Sequence, residues 1–178
     1  RARQKRGTLE LELPERKIEF DKNGHVHAVN EQQRLDSHRM IEEFMITANV
    51  AAAEVLEHNS EPVMYRIHDR PTADKIKSLA EAVNKLGLKF KKTNTIDPRS
   101  FSLLVKNAHK KNIETIVNEI VLRTQSQAVY GPLQIGHFGL GLKTYCHFTS
   151  PIRRYSDILV HRSLITALKL GSDGHSSG

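Results

Sequence analysis

Sulfur is scarce in this sequence, in which Cys146 is the only cysteine among 178 residues. One cysteine excludes an intramolecular disulfide framework and a cysteine-rich zinc site, and it suits a reducing compartment, so a cytoplasmic address is expected. Long apolar runs are missing too. Nothing approaches the ~18 consecutive apolar residues of a membrane span, and no signal-peptide pattern is present. The chain reads as soluble. Its ten histidines include no HExxH pair; His25 and His27 would share a strand face, but the spacing of an all-histidine metal site is absent. Ser150 and Thr149 lie near His147 without a nucleophile-elbow sequence, which rejects a serine hydrolase. No internal repeat occurs, and no low-complexity block outside the C-terminal tail.

What is present is basic. A net charge of +7 favours a polyanionic partner, nucleic acid ahead of an anionic membrane, although charge alone does not separate the two. Hydrophobic residues make up 38% of the chain, enough for one compact domain with its own core. That domain is expected over residues 1–170, followed by a flexible tail at 171–178, GSDGHSSG. The sequence starts at Arg1 inside a charged run, and both ends read as cut from a longer chain.

In chain order, the pattern predicts an α+β fold: an N-terminal antiparallel hairpin, a mainly helical region, a Gly-rich extended segment and a C-terminal helix. Leu9, Leu11 and Leu13 alternate with Thr8, Glu10 and Glu12 as on a half-buried strand. Ile18/Phe20 and Val26/Val29 then flank the turn sequence Asp21-Lys22-Asn23-Gly24. From Leu35 to Leu56, the residues Ile41, Phe44, Met45, Ala48, Ala52, Val55 and Leu56 recur at helical spacing and predict the core helix. Glu42, Glu43 and Asn49 interrupt it. Either they are solvated, as helical carboxylates usually are, or they serve as arginine partners or as a layer behind a ligand. An extended stretch at Tyr65–Asp69 precedes helices from Pro71, from Asp97-Pro98 and from near Asn112, all expected to be scaffolding. Tyr130 to Phe148, with Gly131, Gly136, Gly139 and Gly141, has no helical period and reads as a loop plus an extended strand.

The densest chemistry lies between His137 and Arg162, HFGLGLKTYCHFTSPIRRYSDILVHR. Ser150 followed by Pro151 predicts an N-cap and a first helical residue, with the helix running to about Leu170. Arg153 and Arg154 then fall in the first turn, where the helix already carries partial positive charge and disfavours cations; an anion such as phosphate resolves the conflict. Guanidinium groups suit that anion, and His137 and His147 could add donors. Arg153, Asp157 and His161 follow at i, i+4 and i+8. This spacing makes either an exposed ion-pair ladder worth ~0.3–0.5 kcal/mol per pair, or an Asp157 that orients Arg153 toward phosphate. The glycines and aromatics around it favour the second.

HFTSPIRRYSDILVHR, from His147 to Arg162, resembles the ribonuclease II / ribonuclease R family, specifically the C-terminal half of its RNB catalytic domain. So do KRGTLELELPERKIEFDKNGHV near the start, HRMIEEFMITANVAAAEVL in the long helix, YRIHDRPTADK and GHFGLGLKTY. The resemblance implies part of a hydrolytic 3′-to-5′ exoribonuclease that threads single-stranded RNA into a basic channel and releases nucleoside 5′-monophosphates with Mg2+. It also implies Arg153 as the catalytic arginine and His137, Ser150, Arg154 and Tyr155 as RNA or phosphate contacts. Glu42 or Glu43 would lie on a helix lining the active site, and Asp157 would act in support.

The family holds magnesium with closely spaced aspartates in the N-terminal half of the RNB domain. Here Asp21, Asp36, Asp69, Asp74, Asp97 and Asp157 are scattered, so no metal ligand is assigned in this chain. The family's flanking oligonucleotide-binding modules are missing as well. The expectation is a chain with part of an active site, inactive alone; the alternative is a non-catalytic RNA-binding or regulatory module that lacks the metal site. A sheet edge and an apolar face left uncovered predict marginal stability or self-association.

Overall fold

The computed structural model describes residues 8–9, 11, 16–31, 35–90 and 97–175. Its elements are β1 (Arg16–Phe20), β2 (Val26–Glu31), α1 (Asp36–His58), β3 (Tyr65–Ile67), α2 (Ala73–Lys85), α3 (Pro98–His109), α4 (Glu114–Thr124), β4 (Val129–Gly131), a 3-10 turn (Phe138–Leu140) and α5 (Tyr155–Leu168). The fold is α+β, as the hydrophobic pattern predicts. Two clusters of apolar side chains hold it together. Leu79, Val83, Phe101, Val117 and Val121 join α2, α3 and α4 in the first. In the second, Ala52, Ala53 and Leu56 of α1 meet Tyr65, Ile67, Cys146 and Val160. Small alanines let α1 and α5 approach closely, and each large side chain fully buried there contributes ~1.5–3 kcal/mol.

Helix boundaries follow local chemistry. Thr72 caps α2 by accepting the Lys75 N–H at 3.4 Å, and Asp97 caps α3 by accepting the Arg99 N–H at 2.9 Å, with Pro98 as the first helical residue. The segment between β4 and α5 is anchored by Phe138, whose ring meets Phe101 edge-on at 5.9 Å inside the first cluster. Glycine is required at two points there. Gly136 has φ +85°, and a Cβ on it would lie 2.8 Å from the Leu142 carbonyl; one on Gly139 would lie 2.8 Å from His68 Nδ1.

Several expectations need correction. Thr8, Leu9 and Leu11 form no strand. Thr8 is buried, with its hydroxyl donating to Leu140 O at 3.0 Å, while the Leu9 N–H donates to Gly139 O at 2.9 Å. Docking onto the glycine-rich segment overrides the alternation; Leu13 and Arg1–Arg6 lie outside the described residues. In α1 the first half of the predicted stripe is not buried: Ile41 and Phe44 are exposed, and the buried set is Ile46, Asn49, Ala52, Ala53 and Leu56. The tail is not free either. Arg162 Nη2 donates to Gly174 O (3.1 Å), the His175 N–H donates to Thr166 Oγ1 (2.9 Å), and His175 Nε2 meets Ser163 Oγ at 2.9 Å. These bonds fold residues 171–175 back on α5; 176–178 lie outside the described residues.

The hairpin forms as predicted, with Ile18 opposite Val29 and Gly24 at φ +82° in the turn. The Asp21 carboxylate accepts the N–H groups of Asn23 (2.8 Å) and His25 (2.9 Å), which fixes the reversal. Among the described residues this sheet has two strands only, and Ile18, Phe20, Val26 and Val29 are each at least half exposed. No described helix is long and apolar enough to cross a membrane.

Candidate functional site

Helix α5 does not begin at Ser150-Pro151. Residues 151–153 form a turn, Arg154 is the N-cap in extended conformation (φ −134°, ψ 114°), and helical residues start at Tyr155. Asp157 explains the difference. Its carboxylate is fully buried and accepts the Ser150 N–H (2.8 Å), Arg154 Nε (2.9 Å), Arg154 Nη2 (2.8 Å) and the Ser156 hydroxyl (3.3 Å). An acid in the first turn suits the helix dipole and does the work predicted for Ser150. Burial pushes this carboxyl up, but the hydrogen bonds from Arg154 and Ser150 and the Arg154 charge outweigh it, leaving Asp157 below the ordinary carboxylate range.

The predicted Arg153–Asp157–His161 ladder is therefore replaced. Asp157 holds Arg154, which is itself largely covered, and Arg153 is left exposed on the turn. His161 turns elsewhere: its ring stacks on Phe148 at 4.3 Å, and its Nε2 meets Phe148 O at 2.9 Å. The preceding loop is tied to α1. Asn49 Oδ1 accepts the N–H groups of Phe148 (2.8 Å) and Thr149 (3.2 Å), and Asn49 Nδ2 donates to the Tyr145 hydroxyl (3.0 Å). Near the end of α1, Glu57 Oε1 accepts Tyr65 OH (2.9 Å), Gln134 Nε2 (2.7 Å) and Thr144 Oγ1 (2.6 Å).

Behind this loop runs a row of rings. His68 meets His137 at 4.9 Å, His137 meets Tyr145 at 5.3 Å, Tyr145 meets His147 at 5.6 Å and His147 meets Tyr130 at 5.6 Å. The Arg66 guanidinium lies 4.7 Å over the Tyr130 ring, across the β3–β4 pair. Nδ1 of His68 accepts the Gly139 N–H (2.9 Å) and Nδ1 of His137 accepts the Leu140 N–H (3.3 Å), roles open only to a neutral imidazole. Burial lowers His68; burial, with His68 and the Arg66 guanidinium close by, brings His137 down to about 3; burial and the Arg154 charge bring His147 to about 4.

Acid lability follows from these shifts. With folded values below the free imidazole's 6.5, the unfolded chain binds protons that the folded one refuses, so stability falls as pH drops below that point. At pH 5 His137 and His147 are each expected to cost about 2 kcal/mol relative to pH 8. Thermal melts between pH 8 and pH 5 check this. A flat melting temperature across that range contradicts it.

Ser150, Arg153, Arg154, Tyr155 and Asp157 thus lie together on the turn at 151–153 and the helix start that follows it. Tyr155 and Ile152 project from it into solvent, Arg154 faces a cleft of about 430 Å³ also lined by Glu42, Met45, Asn49 and Tyr145. Glu42 is the helix carboxylate that reaches this cleft; Glu43 is half-buried, and its carbonyl accepts the Thr47 hydroxyl. His137 lies apart, in the ring row beneath the loop. Asn49, which interrupts the apolar stripe in register with Met45, Ala52 and Leu56, is buried and not solvated, and its partners are backbone N–H groups and Tyr145; Tyr145 was not singled out by sequence. Among the described residues no three His, Cys, Asp or Glu side chains gather as a metal site. The described residues therefore do not fit a magnesium centre by themselves.

Known proteins are similar to this chain in sequence and fold. The family model for the RNB domain matches residues 1–170. Ribonuclease R of Aquifex aeolicus is 40% identical over 169 residues, covering 95% of this chain and 24% of the relative. The solved structure of Mycoplasma genitalium RNase R in complex with ribose methylated single-stranded RNA matches with a TM-score of 0.86 at 32% identity, over 97% of this chain and 28% of that one. Yeast Ssd1, a pseudonuclease, matches with a TM-score of 0.68 at 25% identity, over 82% of this chain and 18% of its own. The chain spans about a quarter of the ribonuclease R chains it matches.

Proposed function

This chain belongs to the RNB domain family, and on that premise we propose that it supplies the phosphate-holding part of a hydrolytic 3′-to-5′ exoribonuclease acting on single-stranded RNA. One observation carries the reading: Asp157 engages Arg154 in both of its ion-pair bonds and leaves Arg153 exposed on the turn beside the cleft. Arg153 can then offer its planar donors to the scissile phosphate and gain strength as negative charge builds on the phosphoryl oxygens. Ser150, Arg154 and Tyr155 around the same turn are further RNA or phosphate contacts, as is His137, whose ring packs against Tyr145, and Glu42 lines the cleft together with Arg154. Products are nucleoside 5′-monophosphates. The magnesium that such chemistry uses is assigned to ligands outside this chain.

A second reading is a non-catalytic RNA-binding module, favoured by the likeness to a pseudonuclease. Two assays separate them. An intact ribonuclease containing this sequence is expected to release nucleoside 5′-monophosphates from a single-stranded oligoribonucleotide with added magnesium, whereas the 178-residue chain alone is expected to release none. Salt-dependent RNA binding by the intact protein without any release supports the module. Release by the short chain alone overturns the placement of the metal ligands.

A further inference from the structure

We propose that Asn49 is a positioning residue for this site, holding the loop that presents Arg153. The inference rests on the reading of Arg153 given above. Asn49 is 2% exposed, in the middle of α1, and its polar groups are committed to one short segment. Backbone N–H groups can only donate, so the atom facing Phe148 and Thr149 is the amide oxygen, which leaves Nδ2 for the Tyr145 hydroxyl. The Asn49 carbonyl also accepts the Cys146 thiol at 3.3 Å. Asp157 takes the next N–H, that of Ser150.

Three consecutive backbone donors are thus held by two buried side chains, one from α1 and one from α5. The turn bearing Arg153 starts immediately after this clamp, with the Arg153 N–H donating to Ser150 O at 3.3 Å. Removing the Asn49 half frees Phe148 and Thr149 while leaving the Asp157–Arg154 pair in place. A displacement of about 1 Å at a catalytic group costs ~10²-fold in rate, so the loss falls on turnover. Asn49→Asp keeps an acceptor for both N–H groups, and the Tyr145 hydroxyl can reverse to donate. Asn49→Leu keeps the approximate volume and loses every bond.

The test uses the intact ribonuclease with a single-stranded oligoribonucleotide. Asn49→Leu is expected to lower kcat by about tenfold or more with KM within about threefold, and Asn49→Asp to return kcat to within about threefold of wild type. Leu79→Ala, in the other apolar cluster, is the control: it lowers the melting temperature without lowering kcat well below that temperature. Equal impairment in Leu and Asp variants, an unchanged kcat in Asn49→Leu, or kcat that tracks melting temperature across all three overturns the proposal. If Asn49→Leu does not fold, Asn49→Ser, which retains a single hydroxyl acceptor, takes its place. If wild type releases no monophosphate, the functional reading fails, and the clamp is judged by amide hydrogen exchange. There Asn49→Leu must speed exchange at Phe148 and Thr149 by about tenfold, with Asn49→Asp restoring protection; unchanged exchange overturns the clamp as well.

Discussion

Arg153→Ala in the intact ribonuclease is expected to lower kcat by about 10²–10³ while changing KM little, the mark of an interaction made mainly in the transition state. The side chain is exposed on the turn, so stability is expected to stay within about 0.5 kcal/mol of wild type. Arg153→Lys is expected to recover little, because a point charge on a flexible stem does not reproduce a planar fork. Single-turnover kinetics on an oligoribonucleotide and a denaturant melt give the two numbers. If KM rises in step with the loss of kcat/KM while kcat holds, Arg153 is an anchor for RNA and not a participant in the chemistry.

Its neighbour has the opposite profile. Asp157→Ala leaves the largely buried Arg154 guanidinium without its carboxylate and the Ser150 N–H without an acceptor, and breaking such a buried pair costs about 3–5 kcal/mol. Total stability for a domain of this kind is about 5–15 kcal/mol, so this single change removes a large share of it. Urea unfolding of the 178-residue chain checks the figure, and a shift of the midpoint worth less than about 1 kcal/mol contradicts it. The pH windows keep this pair distinct from the histidines. Asp157 lies below its ordinary value of 3.8 when folded, so its contribution is present above that value and is lost only as pH falls through the folded one. His137 and His147 act from pH 6.5 downward. Loss near pH 5 therefore belongs to the rings, and a further loss in stronger acid to the carboxylate.

Much of this molecule is legible as sequence because local signals and tertiary packing agree. Asp97-Pro98 caps the helix it predicts, Gly24 turns the hairpin it predicts, and the helix expected from near Asn112 forms as α4 and buries Val117 and Val121. Ser150-Pro151 misled because a stronger interaction overrode a sound local preference. The Ser150 N–H is drawn to Asp157, seven residues ahead, and that bond delays the helix. The same long-range choice of partner turned a regular i, i+4 spacing into an i, i+3 pair of Asp157 with Arg154. In α1, periodicity marked Ile41 and Phe44 for the interior, yet they remain exposed, since spacing registers a face without saying what covers it. Asn49 shows the converse: a polar residue on an apolar stripe marks itself in the sequence, but its partners, nearly a hundred positions away, do not.

Cys146 gives the seam between α1 and the Arg153 loop a built-in reporter. Its thiol is fully buried, burial pushes it up to about 12, and it rests against the Asn49 carbonyl. It is also the chain's one cysteine. A disulfide reagent added to the native protein can therefore label only one atom, and only during the moments when helix and loop part. The labelling rate is a clock for that parting, readable in a cuvette without any engineered probe, substrate or metal.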